Sequence, residues 1–233
     1  MGNKNNDVII ACDYGTKQEL TDFLALFKIE KPFVKIGMEA FYANGPDIVR
    51  EVKSMGHKIF LDLKLHDIPN TVGRAMKVLS DLQVDMVNVH AAGGSAMMQS
   101  ARDALNESDT ILLAVTQLTS TSEEQMHREL LIDRSMEDTV ISYAKNAAAS
   151  GCNGVVCSPL EASQVKSACG NSFITVTPGI RFSEDNAGDQ KRVTTPADAR
   201  KSGSDYIVIG RSITGAKDPV AAYKRAISDF IGC

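Results

Sequence analysis

Short, continuously apolar runs recur along the chain, with longer amphipathic stretches between them. Val8-Ile9-Ile10-Ala11-Cys12, Ile111-Leu112-Leu113-Ala114-Val115 and Tyr206-Ile207-Val208-Ile209 show no polar alternation. That is the pattern of strands covered on both faces. Strand-like runs begin near Val8, Val34, Ile59, Met86, Ile111, Val155, Phe173 and Tyr206, the first five spaced about 26 residues apart. That spacing holds one strand, a turn, a helix and a return loop. In 17–29, Leu20, Phe23, Leu24 and Phe27 fall on one helical face, with Thr16 as the expected N-cap. The stretch 68–82 reads as a helix with Pro69 in its first turn, and 138–149 and 218–231 read as helices too.

Eight strands alternating with helices in 233 residues predict an α/β fold, a (β/α)8 TIM barrel, with 1–233 as one catalytic domain. The competing doubly wound sheet lacks its usual G-x-G-x-x-G turn, because the chain reads Cys12-Asp13-Tyr14-Gly15-Thr16 after the first strand. Two long polar connections, 119–135 after the fifth strand and 181–192 after the seventh, are candidate active-site lids.

Composition narrows the function. The chain is 43% hydrophobic and 23% charged, ordinary for a globular protein. Lys+Arg total 25 against 29 Asp+Glu, a net charge of −4, which argues against coating nucleic acid or an anionic membrane. There is no Trp and aromatic content is 6%, too little for a base-stacking platform. The apolar run at 8–12 is too short for a secretion signal or a membrane span. Five cysteines without a C-x-x-C pair read as reduced thiols rather than a disulfide framework or zinc site, so a cytoplasmic protein is expected.

In a barrel of this type the chemistry lies at the carboxyl ends of the strands. Charged residues gather there: Asp13, Lys35, Asp62, Lys64, Asp67, Arg181 and Arg211. Strand alternation puts Asp62 and Lys64 on one side of the third strand, facing the barrel mouth, with Lys35 next door. Such an array perturbs its members' ionisation and marks a functional site. Gly179 with Arg181, and Gly210 with Arg211, stand where barrels bind phosphate. A metal held by His66, His90, Asp62 and Asp67 is disfavoured by the competing lysines. His57 and His127 read as surface residues, and Cys12 as packing.

Asp62-Leu63-Lys64-Leu65-His66-Asp67-Ile68-Pro69-Asn70-Thr71 resembles the signature of the orotidine 5′-phosphate decarboxylase family in its bacterial single-domain form. Similar segments run the length of the chain: Val34-Lys35-Ile36-Gly37, Asn88-Val89-His90-Ala91, Leu118-Thr119-Ser120, Thr177-Pro178-Gly179-Ile180-Arg181 and Ile209-Gly210-Arg211. The resemblance implies loss of CO2 from orotidine 5′-monophosphate to give uridine 5′-monophosphate, with no metal or organic cofactor. It implies that Lys64 donates the proton to C6 within a network of Lys35, Asp62, Lys64 and Asp67. It implies a homodimer with shared sites, Asp67 and Thr71 reaching into the partner's site beside Ile68. Asp13 and Lys35 would bind the ribose, and Thr119 and Ser120 the pyrimidine. Pro178 would line the site, and Gln190 would link the lid to base or phosphate. Arg181, Gly210 and Arg211 would hold the phosphate. Neither nucleic acid nor membrane is implied as a partner. The competing readings are a magnesium-dependent sugar-phosphate enzyme of the same superfamily, a Schiff-base aldolase using Lys64 or Lys35, and a non-catalytic nucleotide-phosphate binder.

Overall fold

A computed structural model of the chain describes residues 6–185 and 194–232. Its strands are β1 (Asp7–Ala11), β2 (Phe33–Gly37), β3 (Ile59–Leu65), β4 (Met86–His90), β5 (Ile111–Val115), β6 (Gly154–Val156), β7 (Ile174–Ile180) and β8 (Tyr206–Ile209). All are parallel, in sequential order, and β1 pairs with β8 (Val8↔Ile207, Ile10↔Ile209) to close the barrel. The eight expected strands are thus present in the expected (β/α)8 architecture.

The helices are α1 (Lys17–Ala25), α2 (Met38–Asn44), α3 (Asp47–Ser54), α4 (Pro69–Ser80), α5 (Gly94–Asp103), α6 (Glu123–Arg128), α7 (Met136–Ala149), α8 (Ala162–Cys169), α9 (Pro196–Lys201), α10 (Arg211–Thr214) and α11 (Pro219–Ile231). Thr16 caps α1 as expected, in a reciprocal box with Glu19. Pro69 and Pro219 open α4 and α11, where a missing N–H costs nothing.

The apolar strands divide their residues between two layers. Ile9, Phe33, Phe60, Met86, Leu113, Val176 and Val208 fill the barrel interior. Their neighbours, among them Val8, Ile10, Leu61, Val87, Leu112 and Ile207, pack under the helices. Each fully buried Leu, Ile or Phe contributes about 1.5–3 kcal/mol of transfer free energy. This is why the strands read as unbroken apolar runs.

Three local expectations are corrected. Helix α1 ends at Ala25, not near residue 29, because Ile29 is 88% exposed and Pro32 follows shortly. The 119–135 connection is not all loop: it contains α6, capped by Ser122 and anchored by fully buried Met126. His57 is 1% exposed rather than on the surface: its Nδ1 lies 2.9 Å from the Pro32 carbonyl oxygen, a bond that satisfies one ring nitrogen, while Nε2 is buried without a partner among the described residues. Burial pulls the His57 pKa below its ordinary value. His127 is exposed, as expected.

Candidate active site

The site begins with a break in β3. Up to Leu61 the strand runs in register with β4 (Phe60↔Met86, Leu61↔Val87), but the next pair is Leu65↔Val89. More of β3 than of β4 is consumed in the gap, and the excess is a bulge. Within it Lys64 takes a left-handed backbone (φ 50°), costly for a residue with a side chain. Alternation puts Lys64 and Asp62 on one side of β3, and the bulge sets the backbone from which the Lys64 side chain reaches Asp62. Lys64 Nζ donates to Asp62 Oδ1 at 2.8 Å.

Asp62 is 7% exposed and surrounded by donors. Its Oδ1 also accepts from Asn88 Nδ2 at 2.6 Å. Its Oδ2 stands 3.5 Å from Lys35 Nζ, which donates to Asp13 Oδ1 at 2.9 Å. Burial pushes the Asp62 carboxyl up, but the ammonium groups of Lys35 and Lys64 and the bonds from Lys64 and Asn88 outweigh it and hold it below the usual range. For Lys35 burial likewise acts downward, and the Asp62 and Asp13 charges outweigh it and hold the ammonium above its ordinary value. Gly37 leaves the space this arrangement needs. A Cβ there would lie 3.0 Å from Asp13 Oδ1 and 3.1 Å from Lys35 Nζ.

Two adjoining lobes open above these residues, sharing Lys35, Pro178 and Val208 in their walls. The smaller, about 210 Å³, is lined by Asp62, Lys64, Thr119 and Ser120 over apolar Phe60, Val115 and Val156. The larger, about 380 Å³, is lined by Asp13, Arg181, Gly210 and Arg211. Gly179 shapes that lobe with a φ of 83°, in a second register break between Thr177 and Ile180. The structure thus brings together Asp13, Lys35, Asp62, Lys64, Thr119, Ser120, Pro178, Arg181, Gly210 and Arg211.

Asp67, Ile68 and Thr71 are not brought to either lobe of their own chain. They lie at the start of α4, where Asp67 Oδ1 accepts from the Ile68 N–H at 2.6 Å and Ile68 is 66% exposed. Gln190 lies outside the described residues. The root of its connection is fixed to α11: the Arg225 guanidinium sits 4.1 Å from the Phe182 ring centroid and pairs with Glu184.

The His66 and His90 rings are 5.7 Å apart and line neither lobe. Burial, with His66 and Lys64 nearby, lowers the His90 pKa. Among the described residues no three His, Cys, Asp or Glu side chains converge on a possible metal position. Cys12 is buried in the outer layer, and burial pushes its thiol pKa up, as fits a packing role.

Asn88, Gly37 and Gln117 went unread in the sequence. Asn88 carries a signal, being a buried amide inside the apolar run Met86-Val87-Asn88-Val89, which demands partners. Gln117 continues the inward register of Leu113 and Val115 into the smaller lobe. Gly37 has no signal without the three-dimensional contact.

A closed parallel barrel carrying a buried Lys–Asp array at its mouth, with two glycine–arginine turns beside it, defines the class: a (β/α)8-barrel enzyme. Within that class, the chain belongs to the orotidine 5′-phosphate decarboxylase / HUMPS family, whose model matches residues 6–226. An orotidine 5′-phosphate decarboxylase of Streptococcus mutans is 57% identical, covering 96% of this chain and 97% of that one. One from Bacillus mycoides is 54% identical, covering 98% of each. The crystal structure of orotidine 5′-phosphate decarboxylase from Lactobacillus acidophilus superposes with a TM-score of 0.87 at 42% identity, covering 97% of this chain and 99% of that one. No helix among the described residues is long and apolar enough to cross a membrane.

Proposed function

We propose that the chain decarboxylates orotidine 5′-monophosphate to uridine 5′-monophosphate and CO2, the last step of de novo uridine nucleotide synthesis. It acts in the cytoplasm as one catalytic domain over 1–233, and no step is assigned to a metal or organic cofactor. The observation that carries this is the Lys35–Asp62–Lys64 array standing in the wall of the smaller lobe while the arginines stand in the larger.

When the C6–carboxylate bond breaks, CO2 leaves and its electron pair stays on C6. An ammonium held beside that carbon stabilises the developing charge without reorganising. Lys64 takes this role and then gives its proton to C6, so one proton replaces one CO2 and Lys64 regains a proton from water. Asp62 fixes the Lys64 ammonium from one side and Lys35 fixes Asp62 from the other. The apolar floor of Phe60, Val115 and Val156 keeps the dielectric low, which strengthens each interaction.

The rest of the substrate follows from the lobes. Thr119 and Ser120 meet the pyrimidine, and Pro178 forms the wall between the parts. Asp13 and Lys35 take the ribose hydroxyls. Arg181 and Arg211 give bidentate donors to the phosphate, which approaches the backbone at Gly210. Gln190 links the lid to base or phosphate. Asp67, Ile68 and Thr71 act in the partner site of a homodimer, a reading supported by their position outside their own chain's lobes and by the exposure of Ile68. Small-molecule substrate and second subunit are the partners; nucleic acid and membrane are not.

The test is spectrophotometric. Purified protein in EDTA is mixed with orotidine 5′-monophosphate, and loss of orotate absorbance is followed beside a Lys64→Ala control. Rapid loss with a silent control supports the reading. No loss from folded wild type overturns it, and full activity in the control removes Lys64 from the chemistry.

A further inference from the structure

We infer that Asn88 is a positioning residue that holds Lys64 in its working conformation. It lines neither lobe and acts through its neighbours. The inference rests on the decarboxylase reading for its effect on turnover, and on geometry alone for its effect on Lys64.

Asn88 is 1% exposed and stands in the inward register of β4, two residues after Met86 of the barrel interior. Its amide makes two bonds at once. Nδ2 donates to Asp62 Oδ1 at 2.6 Å, and Oδ1 accepts the backbone N–H of Lys64 at 2.8 Å. One side chain therefore ties down both the carboxylate that receives the Lys64 ammonium and the backbone that carries it.

The backbone bond matters because of the bulge. Where the β3–β4 register breaks, the Lys64 N–H needs an acceptor from elsewhere, and a buried N–H without one is rare. The side-chain oxygen of Asn88 takes that place. It also holds a residue at φ 50°, a conformation that persists only where the surroundings enforce it. Without this bond nothing from β4 holds the Lys64 backbone in the left-handed region, and the position of its ammonium against Asp62 is no longer enforced.

The chemistry also explains the residue type. The position must accept on one side and donate to a carboxylate on the other. An amide does both. Aspartate would accept the N–H but set a second carboxylate against Asp62. Leucine would fill the space and satisfy neither partner. Serine has one oxygen, too short to reach both.

The experiment uses the full chain with Asn88→Ala and Asn88→Asp. For Asn88→Ala, kcat falls on the order of 100-fold, the expected effect of a small misplacement of a reacting group. KM and the affinity for uridine 5′-monophosphate stay within about threefold, which separates misplacement from general damage. In its crystal structure Lys64 leaves the left-handed region and its ammonium leaves Asp62. Asn88→Asp keeps the acceptor, so Lys64 keeps its positive φ. The added carboxylate raises the acidic limb of the kcat profile by about a pH unit or more. The second variant judges the inference should the first fail to fold. Near-wild-type kcat in Asn88→Ala overturns the inference, as does an unchanged Lys64 conformation. Parallel loss of kcat and nucleotide binding also overturns it, because a structural role alone explains that. If wild type itself fails to decarboxylate, the proposed activity falls, and the Lys64 conformation in the two variants still decides the role of Asn88.

Discussion

Lys35 and Asp62 face each other across the seam between β2 and β3, with Lys35 Nζ 3.5 Å from Asp62 Oδ2. Burial pushes each toward its neutral form, and each holds the other charged. Asp62 is shared with Lys64, and Lys35 is shared with Asp13, so positive and negative groups alternate along the site wall. A chain of this kind fixes the ammonium of Lys64 from behind while leaving its front to the smaller lobe.

Stability should follow the titration of both groups. The Asp62 carboxyl sits below its ordinary value of 3.8, so its contribution is full above that pH and is lost as pH falls through the lower folded value. The Lys35 ammonium sits above its ordinary 10.5, so its contribution is full below that pH and is lost as pH rises through the higher folded value. Urea unfolding across the pH range should show both losses. Asp62→Asn should flatten the acidic one and lower stability at neutral pH by about 1–3 kcal/mol, because it leaves buried donors without their charged acceptor. An acidic limb unchanged by that substitution would show that Asp62 does not control it.

Gly37→Ala should damage function with little harm to the fold. Its φ of −88° suits any residue, so the effect is steric. The new Cβ presses on Asp13 Oδ1 and Lys35 Nζ from about 3 Å, and the pair must shift by a few tenths of an ångström. We expect kcat/KM to fall about tenfold, or ~1.4 kcal/mol, with Tm nearly unchanged. Wild-type kinetics would mean that Lys35 moves aside without consequence.

The phosphate should contribute to the chemical step although it is remote from C6. On the proposed reading Arg181 and Arg211, in the wall of the larger lobe, hold it, and the connection that leaves Arg181 is rooted on α11 through Phe182 and Glu184. Remote binding energy of this sort drives closure over the reacting centre. Orotidine without its phosphate should therefore lose kcat/KM by many powers of ten, each worth ~1.4 kcal/mol. Comparable turnover of nucleoside and nucleotide would leave the arginines with no part in catalysis.

The barrel was legible because every strand has apolar neighbours on both faces, and an unbroken apolar run records that locally. The charged residues at strand ends were legible because ions placed beside such runs have nowhere to go but the mouth. What escaped depends on contacts across the fold. The bulge at Lys64 leaves no mark in Leu63-Lys64-Leu65, because the register break is a matter of pairing with β4, where the Asn88 amide meets the Lys64 N–H. His57 sits in a polar turn and looks exposed until the Pro32 carbonyl meets it. Asp67, Ile68 and Thr71 take their meaning from the family resemblance, since nothing within one chain gathers them at a cavity.

Those three residues supply the sharpest test of a shared site. If Asp67 completes the site of the other subunit, an Asp67→Ala homodimer lacks that carboxylate at both sites, and a Lys64→Ala homodimer lacks the proton donor at both. Both are inactive. Mixing them and allowing subunits to exchange creates heterodimers with two unlike sites. One site receives both substitutions. The other combines Lys64 from one chain with Asp67 from its partner and is intact. With equal amounts and free exchange, half of all dimers are mixed and each carries one working site, so activity should recover to about a quarter of wild type. Exchange is checked separately, with subunits of two masses. Recovery shows that Asp67 acts in trans. Inactivity despite confirmed exchange shows that Asp67 serves its own chain, and the exposed start of α4 must then fold back toward its own lobe when substrate binds.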